Sequence, residues 1–187
     1  MSIRNVRQMG DDILRKKSKK ITTLDDRTKT LIEDMINTME EQEGCGLAAV
    51  QVGVLKDIIV VKELEETEVD EEGNEKVIKP SKLHIFINPE IVYYSEDKNK
   101  SFEGCLSVLG KRGVVERSNE IKIKAKDINM KDIELTAKDF FARTIQHEVD
   151  HLNGVLYVDR VKGKLYDEEE LLKKEEELER SKAKEEK

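Results

Sequence analysis

The apolar and polar positions of this chain alternate between helical and strand spacing from one end to the other. Leu31, Met35 and Met39 fall on one stripe, with Ile32 and Ile36 beside them. Asp25-Asp26 opens that stretch and Gly44 closes it, so the pattern predicts an amphipathic helix over 25–42 whose methionines belong to the core. A shorter helix is expected over 11–18. Asp57-Ile58-Ile59-Val60-Val61 reads as a strand. The charged stretch from Lys62 to Lys82, with Gly73-Asn74 at its middle, reads as an exposed hairpin or flexible loop. Strands are expected near 84–88, 91–94, 101–107 and 113–118. Over 120–126 and 131–136 apolar residues (Ile121, Ile123, Ala125; Ile133, Leu135) alternate with charged ones, the mark of antiparallel strands with one wet face. A helix follows over 139–152, with Phe140, Phe141, Ala142 and Ile145 to bury it and Asn153-Gly154 to end it. A short strand over 155–158 and a last helix from 167 complete the prediction, and no internal repeat is evident. The fold class is α+β, with antiparallel sheets packed around the 139–152 helix and a helix at the C-terminus.

Composition narrows the class. At 187 residues the chain is one domain's worth and long enough for a real core. Charged residues make up 40% and the net charge is -7, which gives no footprint for direct nucleic-acid binding. No stretch approaches the roughly 18 apolar residues of a membrane span, and the basic N-terminus lacks the apolar segment of a signal peptide. A cytoplasmic protein with no membrane partner is the expectation. Cys45 and Cys105 fit reduced intracellular thiols better than a disulfide.

Candidate chemistry centres on His147-Glu148-Val149-Asp150-His151. On a helix, His147 and His151 project from one face and can bind one ion, while Glu148 can reach a water held there without being a ligand. The bland alternative is a surface helix that happens to carry two histidines. A catalytic tetrahedral site usually takes three protein ligands. No histidine follows His151, and Glu168, Glu169 and Glu170 begin an acidic run of the kind that usually starts a solvated helix. Cys105, in Glu103-Gly104-Cys105-Leu106-Ser107, is the better candidate, against the alternative of a buried reduced cysteine in a strand. A third segment, Gly44 to Gly53, gathers small residues and ends its run with the amide of Gln51. Alone it reads as a helix C-terminus followed by a tight turn. His84 lies outside these segments and reads as structural.

Together the three segments resemble the motifs of the peptide deformylase family: GCGLAAVQ at 44–51, EGCLS at 103–107 and QHEVDH at 146–151. The resemblance runs from Ile3-Arg4-Asn5-Val6 through Ile87-Asn88-Pro89-Glu90 to Gly154-Val155-Leu156-Tyr157-Val158-Asp159-Arg160. It implies a catalytic domain over 1–166 and a charged helix or tail over 167–187. It also implies a metal-dependent hydrolase that removes the N-formyl group from the formyl-methionine of new polypeptides and releases formate. Cys105, His147 and His151 would hold one divalent metal. The resemblance favours Fe(II), although one thiolate and two imidazoles also suit Zn(II), Ni(II) or Co(II). Glu148 would carry the proton, with the Gln51 side chain and the Leu106 backbone N–H stabilising the oxyanion. Gly44, Cys45, Gly46, Glu103, Gly104, Arg112 and Thr144 would bind substrate, the peptide adding as an extra strand beside Gly46. For Arg112 an exposed solubilising role is the alternative, and for Thr144 a bond to its own backbone. Cys45 would line the groove or make an iron centre more sensitive to oxidation. Arg117 would support the site through an ion pair.

The chain departs from the family pattern twice. Val108-Leu109-Gly110 stands where the family usually has a proline soon after EGCLS. The segment 167–187 carries ten acidic and six basic residues, net charge -4, where relatives dock a basic helix on the ribosome. Docking by that segment is therefore doubtful. A metalloprotease and a metal- or peptide-binding protein without turnover remain as other classes, disfavoured by Cys105 and by the intact Glu148 and Gln51.

Overall fold

The computed structural model describes residues 2–69, 75–171 and 173. A single 3-10 turn, Asp12–Arg15, stands where the sequence suggests a helix over 11–18. α1 is Asp26–Glu41, and the Asp25 carboxylate accepts the Thr28 backbone N–H at 2.8 Å to cap its first turn. β1 (Gly46–Ala48) and a 3-10 turn (Ala49–Val52) follow, in place of the helix end and tight turn expected there. Next come β2 (Ile58–Glu63), β3 (Glu66–Val69), β4 (Glu75–Lys79) and β5 (Lys82–Tyr94). β6 (Lys98–Cys105), β7 (Val108–Ser118), β8 (Glu120–Lys126) and β9 (Asp132–Lys138) lead into α2 (Asp139–Leu152). The 3-10 turn Tyr157–Asp159 replaces the short strand expected over 155–158, and β10 is Tyr166–Asp167.

Among the described residues three antiparallel sheets result. The largest runs β1-β2-β5-β8-β9, the second β10-β7-β6, and β3-β4 form the exposed hairpin expected between Lys62 and Lys82. The tip of that hairpin lies outside the described residues. The two strands expected at 84–88 and 91–94 are one strand, β5, whose register on β8 shifts near Asn88. Asn88 takes left-handed backbone (φ 52°), and its side chain bonds both the N–H and the carbonyl of Ile21. The chain is helical at 168–171 and 173, where the last helix is expected, and the rest of the 167–187 segment lies outside the described residues.

The uninterrupted run Ile58–Val61 is buried on both faces of the large sheet, as such runs require. Ile58 and Val60 face α1, meeting Leu31, Ile32, Met35 and Met39. Ile59 and Val61 face α2, meeting Ala142 and Ile145 with Phe86, Ile121 and Ile123. α2 packs against β1, β2, β9 and β7, so it lies between the two larger sheets, the central helix of the predicted fold class. Its polar residues Arg143, Gln146, His147, Glu148, Asp150 and His151 are buried with its apolar ones. The helix stops at Asn153-Gly154. Gly154 has φ 74°, and a Cβ there would lie 2.5 Å from the Arg15 carbonyl oxygen. Only glycine suits that turn.

Candidate active site

α2 brings its two histidines to the end of β6. Cys105 Sγ lies 3.2 Å from His151 Nε2, and His151 Nε2 lies 3.2 Å from His147 Nε2. One donor atom from each of Cys105, His147 and His151 falls within 4.8 Å of the others. Roughly 3.3–3.6 Å would separate such atoms around a tetrahedral ion with bonds of ~2.0–2.3 Å. The donor set therefore fits a divalent ion. Two further features support the fit. Glu103 Oε2 lies 3.0 Å from His147 Nδ1, which keeps a proton there and turns Nε2 inward toward His151. Burial, joined by the charges of His147 and Arg117, holds His151 well below the ordinary imidazole range.

Glu148 sits beside this cluster, 3% exposed, with Oε2 lacking a hydrogen-bond partner among the described residues. Burial, only partly opposed by the charges of His147 and Arg117, pushes its carboxyl up to about 7. A group with that pKa can take and return a proton near neutral pH. Gly46 of β1 lies against it: a Cβ on Gly46 would stand 2.5 Å from Glu148 Oε1. Gln51 is also buried. Its Oε1 accepts the Ala48 N–H at 2.8 Å, which turns its Nε2 toward Ser107 Oγ (3.1 Å) and Cys105 Sγ (3.6 Å).

A cavity of about 550 Å³ opens between the β1 edge, the β6-β7 sheet and α2. Gly44, Cys45, Gly46, Gln51, Glu103, Gly104, Cys105, Leu106, Arg112, Thr144, His147 and Glu148 all line it, while His151 is wholly buried behind. Burial raises the Cys45 thiol above its ordinary value, and both cysteines are free. Thr144 reaches the cavity wall but spends its hydroxyl on the Phe140 carbonyl (2.9 Å). Arg112 stands at the mouth, paired with Glu168. His84 lies apart from the Cys105-His147-His151 cluster, bonded to Glu63 and packed on Phe141.

Both Glu103 oxygens are engaged. They accept from Arg117 Nε and Nη2 (2.9 Å each), from Arg143 Nη1 (2.6 Å) and from the His147 ring. Burial alone would raise this carboxyl, but the bonds and charges of Arg117 and His147 outweigh it and hold it far below the usual carboxylate range. Arg117 also binds Asp150 (2.6 Å), which Arg160 grips from the other side. The ion pair expected of Arg117 is thus part of a network in which Glu103, Arg117, Arg143, Asp150 and His147 are buried and the exposed Arg160 closes the outer end. Sequence reading assigned no role to Arg143, Asp150, Ser107 or Tyr157. Arg143 carries a signal, since it lies four residues before His147 and so on the same helical face. Asp150 and Ser107 lie inside motifs. Tyr157, stacked on His147 and bonded to the Lys111 carbonyl, lies in the resembling segment 154–160, which by itself names no contact with the site.

A family model described as polypeptide deformylase matches residues 3–166. The chain belongs to the polypeptide deformylase family. A peptide deformylase of Lachnoclostridium phytofermentans is 45% identical over 175 residues, spanning 91% of this chain and 99% of that one. Peptide deformylase 1 of Clostridium perfringens is 47% identical over 159 residues, 85% of this chain and 98% of that one. Among solved structures, the Met-Ala-Ser-bound class I type b deformylase of Acinetobacter baumannii matches with TM-score 0.73 and 32% identity, over 85% of this chain and 98% of that one. The actinonin complex from Synechococcus elongatus matches with TM-score 0.74 and 38% identity, over 86% and 79%. The chain is therefore a deformylase, a metallohydrolase that removes the N-formyl group from new polypeptides. No helix among the described residues is long and apolar enough to cross a membrane.

Proposed function

We propose that Cys105, His147 and His151 hold the deformylase metal, that Glu148 moves the proton, and that the cavity receives a formyl-methionyl chain. The observation that carries this reading is the meeting of three ligand atoms within 4.8 Å beside the buried Glu148. When bound, the ion supplies Lewis acidity and a water acidic near neutral pH. Glu148 accepts the proton that water loses on attacking the formyl carbon and returns it to the departing amine. The C–N bond breaks, and formate and a free N-terminus leave. As charge builds on the formyl oxygen, Gln51 Nε2 and the Leu106 N–H donate to it. Loss of one such donor typically costs on the order of 10²–10³ in rate.

The peptide backbone would add to β1. That strand is an edge of its sheet among the described residues and borders the cavity at Gly46, which supports strand addition. Gly44, Cys45, Gly104 and Thr144 would line the groove, and Glu103, with both oxygens occupied, would act by holding His147. Fe(II) is the proposed ion, with Zn(II), Ni(II) and Co(II) accepted by the same ligands. We assign residues 1–166 to the catalytic domain and expect work on nascent chains in the cytoplasm. The net charge of -4 over 167–187 argues against that segment as the ribosome contact, because RNA would repel it.

The test is formate release from formyl-Met-Ala-Ser by anaerobically Fe(II)-loaded protein, beside Met-Ala-Ser itself. Formate from the first and an intact second peptide are expected. Cleavage of the unformylated peptide would revive the metalloprotease reading.

A further inference from the structure

The start of the C-terminal segment forms part of the cavity mouth. β10 pairs antiparallel with β7, setting Tyr166 opposite Arg112 and Asp167 opposite Lys111. The approach to this pairing is tight. A Cβ on Gly113 would stand 2.5 Å from Val161 and 3.0 Å from Leu165, so the bare glycine lets the segment lie flat on β7. The Tyr166 ring meets Phe102, on the cavity wall, edge to face at 5.5 Å. Glu168 completes the lip: its Oε1 accepts from Arg112 Nε at 2.8 Å and Nη2 at 2.6 Å, and both residues line the cavity. Lys111 is likewise held by Asp167 at 2.5 Å. Both mouth cations on this wall are thus neutralised from β10 and the residue after it. Glu43, also lining the cavity, adds a further acidic group.

We propose that Glu168 is a specificity-determining residue: by occupying Arg112 it removes an anion-binding group from the mouth and sets the charge preference for residues following formyl-methionine. A substrate entering along β1 passes this wall, so an acidic side chain there must displace Glu168 to reach the guanidinium. A neutral side chain has no such exchange to make. The inference rests on the formyl-peptide reading of the cavity.

The experiment measures formate release from formyl-Met-Ala-X amides, with X as Glu, Gln or Lys, by metal-loaded full-length protein. Wild type is compared with Glu168→Gln and with Arg112→Gln/Glu168→Gln. The readout is the ratio of kcat/KM for X = Glu over X = Gln within each preparation, which is independent of the active fraction. In Glu168→Gln this ratio should rise about two- to fivefold, the range expected of an exposed ion pair, with the change in KM. The double variant should lose the rise. An unchanged ratio in Glu168→Gln, with wild type turning over all three peptides, would overturn the proposal and leave the lip a structural element. No formate from any peptide with wild type would overturn the underlying reading instead.

Discussion

Replacing Gly46 by alanine tests the closest approach in the site. The added methyl would stand 2.5 Å from Glu148 Oε1 and 2.8 Å from both Cδ and Cγ. Ordinary contact begins near ~3.5 Å, so the carboxylate must withdraw by roughly 1 Å. It has little room, since Glu148 is 3% exposed and α2 is packed between two sheets. A reacting group misplaced by ~1 Å can lose about 10²-fold in rate. We therefore expect Gly46→Ala to lower kcat for formate release about 100-fold. The overpacking should cost about 1–3 kcal/mol of stability. The assay is steady-state formate release on metal-loaded protein, with bound metal and thermal unfolding measured on the same samples. If Gly46 matters chiefly because a peptide strand lies over it, KM should rise and kcat hold. Retention of more than half the wild-type kcat by a folded, metal-loaded variant would refute the reasoning about Glu148.

Glu103→Gln should leave Arg117 and Arg143 buried without their shared counter-charge, at a cost of about 3–5 kcal/mol or on the order of 10 °C in Tm. It should also weaken metal binding about 10–100-fold through the loosened His147 ring, and a chelator competition reads that directly. At the amino terminus, Asp34 accepts from the Ser2 N–H at 2.8 Å and from Arg4 at 2.9–3.1 Å. The Ser2 backbone bond, joined by a second hydrogen bond from Ser2 and then by Arg4, outweighs burial and holds this carboxyl below its ordinary value. A depressed folded pKa means stability that is present above the unfolded value of about 3.9 and is lost as pH falls through the folded one. Acid unfolding of Asp34→Asn should therefore lack part of the wild-type loss below about pH 4. Identical acid curves for the two proteins would contradict that role.

What the sequence made legible was local. The His147–His151 spacing needs only a helix to bring two imidazoles together, and the apolar run Ile58–Val61 announces a strand. Long-range contacts were hidden. The Arg117, Arg143 and Asp150 pairs join residues 14 to 40 positions apart, and no periodicity encodes such distances. Asn88-Pro89 resembles a strand break, yet β5 runs through it because the Asn88 amide ties the bend to Ile21. The strand expected at 155–158 gives way to a 3-10 turn because the Asp159 carboxylate accepts the Leu156 N–H at 2.8 Å and is gripped by Arg15. Gly46 illustrates the limit most sharply. Its lack of a side chain suits an added peptide strand, but the nearest group in the folded chain is Glu148.

The most direct test of the account is formate release from formyl-Met-Ala-Ser by wild type and Glu148→Ala, each carrying one metal per chain. Turnover by wild type and its near-complete loss in Glu148→Ala, with metal content unchanged, is the predicted result. Comparable turnover by the two proteins would contradict the role given to Glu148 and the mechanism built on it.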